Sequence, residues 1–128
     1  MNEYEKLQIL QPLRIPSGWK IVFNNFFILD PSQNIDSDDM FWENFVEDML
    51  YIVYERSFKK DNVTYTKQIA VDLGWYPEMD VNGKFALYVI KNDDWNCPLA
   101  EFRSRSQSAV TDNIEMFLKK YSAPCYYI

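Results

Sequence analysis

Between Val63 and Leu73 the chain alternates. Val63, Tyr65, Ile69, Val71 and Leu73 fall on every second position, and only Lys67 interrupts them. A period of two puts these side chains on one face of an extended strand and the intervening residues on the other. A strand with one apolar and one polar face belongs to an antiparallel sheet that buries one side.

Other segments repeat the period. Trp19, Ile21 and Phe23 alternate with Lys20 and Val22, and Asn24-Asn25 separates them from the run Phe26 to Leu29. Asn tolerates the left-handed backbone of a tight turn, so a hairpin is expected there, with one long strand as the alternative. Leu50, Ile52 and Tyr54 alternate with Tyr51, Val53 and Glu55, and a turn at residues 59–62 leads into the run from Val63. Residues 74–84 read as a connection ending on the turn signal Asn82-Gly83. Phe85, Leu87 and Val89 begin a further strand, with Ala86, Tyr88 and Ile90 on its other face. Pro98 to Arg103 reads as a short edge strand, because a leading Pro and charges are tolerated at an edge. Residues 1–18, punctuated by Pro12, Pro16 and Gly18, read as an extended lead-in.

Two stretches carry the helical period instead. Phe41, Phe45 and Met49 recur every fourth residue, with Trp42, Val46 and Leu50 beside them, which predicts a helix over about 38–49. Asp36 or Ser37 would cap it, and Asp38 and Asp39 would face the positive end of its dipole. Val110, Ile114, Phe117, Leu118 and Tyr121 predict a second helix, capped by Ser106 or Ser108 and ended by Pro124. The expected fold is α+β: one antiparallel sheet of about five to six strands, with two main helices on one face. Residues 1–128 suit one domain. Hydrophobic residues make up 48% and aromatics 17%, enough to fill the core of a chain this size.

Composition narrows the chemistry. The chain has no His, which removes the usual base near neutral pH, the usual metal ligand and every Ser-His or Cys-His pair. Two Cys without His cannot make a standard zinc site within one chain. The three Gly lie far apart, so no glycine loop cradles a phosphate. No cofactor, metal or catalytic residue is predicted. Carboxylates are the remaining candidates for catalysis, yet Asp36-x-Asp38 lacks the Gly and distal Glu of a calcium loop. A net charge of −6 argues against nucleic acid and against an anionic membrane as partners. The amino terminus lacks the basic and apolar regions of a secretory signal, and Cys97 and Cys125 show no disulfide spacing, so a cytoplasmic protein with reduced, structural thiols is expected.

Charge is unevenly spread. From Ile21 to Glu55 there is no Lys or Arg, while Asp30, Asp36, Asp38, Asp39, Glu43, Glu47, Asp48 and Glu55 give the window −8 and leave the rest of the chain +2. A one-sign field steers a complementary partner. The candidate partner-binding residues are therefore Asp30, Asp36, Asp38, Asp39, Glu43 and Glu47. Trp75 and Tyr76 join them as an aromatic platform, because both types are enriched in hot spots; the alternative is that they close one end of the core. Trp95, between Asp94 and Asn96, reads the same way.

Several segments together carry a resemblance: residues 15–20 (IPSGWK), residues 72–78 (DLGWYPE), residues 82–85 (NGKF), Asp94-Trp95, Pro98-Leu99 and residues 102–105 (FRSR). Over roughly residues 13–118 the chain resembles small acidic proteins of Gram-positive bacteria that look like immunity proteins of polymorphic toxin systems. The resemblance implies a tight, non-catalytic inhibitor of a toxin enzyme, such as a basic nuclease. It carries no contact motif onto particular residues. Two other readings stay open: a carboxylate-dependent hydrolase acting on a sugar or phosphate, and a structural or regulatory subunit without a toxin.

Overall fold

The computed structural model describes residues 9–33 and 39–128, with the backbone alone for Gln33, Asp39 and Met40. Five strands form one antiparallel sheet in chain order: β1 (Lys20–Asn24), β2 (Leu50–Lys60), β3 (Val63–Tyr76), β4 (Lys84–Lys91) and β5 (Ala100–Ser104). A single turn of helix, α1 (Asp39–Trp42), precedes β2, and the 14-residue helix α2 (Gln107–Lys120) follows β5. Short 3-10 turns sit at Pro31–Gln33 and Pro124–Tyr127. No helix among the described residues is long and apolar enough to cross a membrane.

β3 is the spine of the sheet. Asp61 and Asn62 both take positive φ, 54° and 64°, and make the two-residue turn that sets Lys60 opposite Val63. That turn suits the right-handed twist of the flanking strands. The two strands outrun their neighbours. β1 reaches only Val53, and β4 reaches only Ile69, so the far ends of β2 and β3 pair solely with each other as an exposed arm.

Alternation sorts the sheet into two faces. Leu50, Ile52, Ile69, Val71, Leu73, Trp75, Phe85, Leu87 and Val89 are buried in one cluster with Val110, Ile114, Phe117 and Leu118 of α2. Ser106 caps α2, its Oγ accepting from the Ala109 N–H at 3.2 Å, and Lys119 and Lys120 lie at its carboxyl end. At the α2 carboxyl end, Trp19 Nε1 donates to Ser122 Oγ at 2.8 Å. At its amino end, the buried Gln107 donates from Nε2 to the Phe27 carbonyl at 2.8 Å.

One helix packs on the sheet, not two. Phe41, Trp42, Phe45 and Met49 are all buried as their spacing predicts, but helix stops at Trp42. The reason is backbone competition. Met49 N donates to Leu73 O at 3.0 Å, Trp75 N to Val46 O at 2.8 Å, and Met79 N to Phe45 O at 2.7 Å. Groups already bonded to β3 and the chain beyond it cannot also serve an i to i−4 ladder. The residues reach the core from an extended chain, setting Phe45 against Trp75 with ring centroids 4.8 Å apart and Trp42 against Trp75 at 5.7 Å, both tilted.

The expected first hairpin is also corrected. Phe26 to Leu29 turn away from β1 and meet the lead-in, where Leu10 bridges Phe27 and Gln11 N donates to Phe26 O at 2.8 Å. The expected cap at Asp36 or Ser37 lies outside the described residues. Cys97 and Cys125 are unpaired and exposed, so neither is a core residue.

Residues 45–49 approach β3 so closely that only Gly fits at position 74, where a Cβ would collide with the Glu47 carbonyl oxygen. Gly74→Ala is expected to cost about 1–3 kcal/mol as overpacking against backbone. Urea titration should find a lower midpoint with an unchanged slope.

Candidate functional site

Among the described residues, the helix layer covers one face of the sheet and leaves the other open. Val53, Ala70, Ala86 and Ile90 are buried on that second face, outside the main cluster. Across its middle runs a row set by register: Phe23 opposite Tyr51, Tyr51 opposite Asp72, Asp72 opposite Tyr88, and Tyr88 opposite Glu101. Directly opposed side chains in an antiparallel pair stand about 4.5–5.5 Å apart at Cβ. Phe23 stacks on Tyr51, and Trp95 from the β4–β5 loop meets Tyr88 edge-on with centroids 5.9 Å apart.

The β3 neighbours of Asp72 on this face, Ala70 and Gly74, raise no large side chain, and the Glu47 carbonyl and the Tyr76 ring close the space above Gly74. Asp72 therefore stands at the bottom of a slot whose walls are Tyr51 and Tyr88. Its carboxylate is half-buried and has no hydrogen-bond or ion-pair partner among the described residues. Burial, and then the Asp48 carboxylate, push its pKa up to about 6.

Around the slot the charge is mainly negative. Glu47 and Asp48 are exposed on the segment that bulges beside Gly74, and the Glu47 N–H donates to Glu78 Oε1 at 3.1 Å. Burial raises the Tyr51 phenol pKa, with Asp93 and then Asp72 adding to it. Tyr76 is raised first by burial and then by Asp72, Glu47, Tyr88 and Asp48. Of the bases on this face, Lys20 stands opposite Val53 and Lys84 opposite Tyr76, and Arg103 is engaged: Nη1 lies 3.2 Å from Glu101 Oε2 and Nη2 donates to the Tyr88 hydroxyl at 2.6 Å.

Among the described residues, the acidic window does not form one surface. Asp30 is half-buried on the helix layer, its Oδ1 accepting from Ser32 N at 2.9 Å and Ser32 Oγ at 2.7 Å. Asp36 and Asp38 lie outside the described residues. Asp39 begins α1, Glu43 is exposed just after it, and Glu47 stands at the rim of the open face. The aromatic pair splits as well. Trp75 is fully buried, with Nε1 donating to Asp80 O at 2.8 Å and the Arg105 guanidinium 5.4 Å from its ring, so it is removed from the platform. Tyr76, one residue on, faces solvent, as does Trp95.

Sequence reasoning missed Tyr51, Asp72 and Tyr88. Each lies on the polar face of an alternating run, and the register that unites them is a property of the paired sheet. A cavity of about 600 Å³ between the lead-in and α2, lined by Arg14, Ile15, Pro16, Glu115, Met116 and Lys119, contains none of the perturbed groups. Among the described residues no three His, Cys, Asp or Glu are placed to hold a metal ion. Comparison with known proteins finds no match to a family model, to a curated protein or to a solved structure.

An acid whose folded pKa lies above its ordinary value of 3.8 binds a proton more tightly when folded. The stability it contributes is complete below that ordinary value and is lost as pH rises through about 6. Asp72→Asn should therefore stabilise the isolated protein at pH 7 by about 1–2 kcal/mol, allowing for the water that still reaches the carboxylate. At pH 3.5 it should make little difference. Denaturant titrations at both pH values check this.

Proposed function

We propose that this protein is a non-catalytic binding module of the immunity or antitoxin kind, which occupies a basic protein through the open face of its sheet. The observation that carries the reading is the row Tyr51–Asp72–Tyr88, left uncovered by the helix layer and bordered by Glu47, Asp48 and Asp93. Tyr and Trp supply large contact area at little cost in side-chain freedom, and such anchors concentrate binding energy. An acidic rim speeds the approach of a basic partner and disfavours acidic ones. The resemblance to immunity proteins points the same way.

The lean toward binding rather than turnover rests on shape. A hydrolase needs a pocket that holds the substrate around its acid and base. Asp72 instead lies on a sheet face, flanked by Tyr51 and Tyr88. The partner-binding set changes accordingly. Glu47 and Tyr76 remain, Asp48, Tyr51, Asp72, Tyr88 and Trp95 join, and Asp30 and Trp75 leave.

The test begins with affinity capture of the partner and measurement of association rates across a salt series. A Glu47→Lys/Asp48→Lys variant should associate roughly tenfold or more slowly at low salt. The gap should shrink near physiological ionic strength, where screening acts beyond about 8 Å. Wild-type protein should also suppress the captured partner's activity at one-to-one stoichiometry. An unchanged association rate at low salt would remove the acidic rim from the contact.

A further inference from the structure

Asp72 presents a problem that the protein leaves unsolved on its own. A carboxylate drawn out of water needs a cation or several donors to offset the loss of hydration. The groups facing it supply neither. Tyr51 stands on the β2 side, Tyr88 on the β4 side, and Asp48 and Glu47 on the segment before β2. Tyr76 shares its strand, and Asp93 of the β4–β5 loop acts on Tyr51. Arg103 of β5 is bound to Glu101 and Tyr88. The charge that acts on Asp72 directly, Asp48, has the same sign, while Lys20, opposite Val53, and Lys84, opposite Tyr76, stand farther along the same face.

The shape of the slot selects among cations. β2 and β4 are two strand spacings apart, about 9.5–10 Å. That leaves room for one flat group to lie between the two rings on the Ala70 side, because the Glu47 carbonyl and the Tyr76 ring already fill the space over Gly74. A guanidinium is flat, weakly hydrated, stacks on aromatic faces and pairs with a carboxylate through two parallel bonds. An ammonium is more strongly hydrated and has no plane.

The chain already sets guanidinium groups against tyrosine rings of its own. The Arg56 guanidinium sits 5.2 Å from the Tyr54 ring centroid and 5.8 Å from that of Tyr127, beside two tyrosine rings whose own centroids are 5.2 Å apart. Arg103 sits 5.5 Å from the Tyr88 centroid at the border of the slot. Tyr54 and Tyr88 are strand tyrosines, as the partners would be here.

We propose that the Tyr51–Asp72–Tyr88 slot receives one arginine side chain of the partner, stacked between the two rings and paired with the Asp72 carboxylate. This rests on the protein-binding reading and specifies its central contact. Arrival of the guanidinium supplies the missing counter-charge, so Asp72 becomes harder to protonate in the complex. Binding should then weaken as pH falls through the range in which free Asp72 takes up its proton.

The test uses the full chain and a defined probe, the blocked tripeptide acetyl-Gly-Arg-Gly-amide. Its citrulline counterpart has nearly the same shape without the charge. Carboxyl-detected NMR follows Asp72, and the Trp95 indole resonance follows the border of the slot. The arginine peptide should bind saturably in the millimolar range and move the Asp72 titration to at least tenfold higher proton concentration. Asp72→Asn, expected to fold at least as stably as the parent, should lose binding at least tenfold. Tyr88→Leu should lose it several-fold.

Equal binding of the citrulline peptide would overturn the proposal, as would retention of arginine binding by Asp72→Asn. Lysine peptide binding as tightly as arginine would overturn the choice of guanidinium. The protein-binding reading fails separately, on the association rates of the Glu47→Lys/Asp48→Lys variant with the captured partner.

Discussion

Residues 45–49 give their backbone to the end of β3, and much of the molecule follows from that choice. Three hydrogen bonds, Phe45 O to Met79 N, Val46 O to Trp75 N and Met49 N to Leu73 O, hold the segment in register. The bonds end α1 after one turn and press Phe45 and Trp42 onto Trp75. They also push Glu47 and Asp48 outward at the border of the open face. Gly74 makes the approach possible by having no Cβ. Core filling and surface charge are therefore two results of one backbone contact.

The sheet then divides the work. Its helix side is a closed core in which Trp75, Phe85, Phe45 and Phe26 meet edge to face or tilted, as aromatic quadrupoles prefer. Its other side keeps polar aromatics in the middle strands and leaves a carboxylate without a partner. A sheet this narrow is stable with one face covered. The open face is thus free to carry groups that a buried face could not hold.

Periodicity made some of this legible. The alternation from Val63 to Leu73 marked β3, the Pro and charges of residues 98–103 marked the edge strand β5, and Ser106 marked the start of α2. Other signals misled for physical reasons. Phe41, Phe45 and Met49 sit at helical spacing, yet burial of every fourth residue can be met by an irregular chain when its hydrogen bonds lie elsewhere. Residues 74–84 read as the connection to the next strand, yet β3 runs on through Tyr76 and closes onto Lys84, with residues 77–83 as the loop, so that Asp72 meets Tyr88. Asp80 O takes the Trp75 indole proton, and Arg105 bonds the carbonyls of Val81 and Gly83. Side chains remote in sequence decided that register, and with it the composition of the slot. By contrast, Asp61-Asn62 alone determines that Tyr51 opposes Asp72.

The arm formed by the far ends of β2 and β3 has a different standing from the rest of the sheet. Its backbone bonds run only between its own two strands, and its side chains from Ser57 to Thr66 are all exposed. Both outer edges are open, guarded by Lys59, Lys60 and Lys67 in the way natural edges resist further pairing. Such a segment can untie and re-form without disturbing the core, because no other element depends on its ladder. Its tip at Asp61-Asn62 is accordingly the place where the chain can be cut, lengthened or joined to another sequence while the open face keeps its geometry.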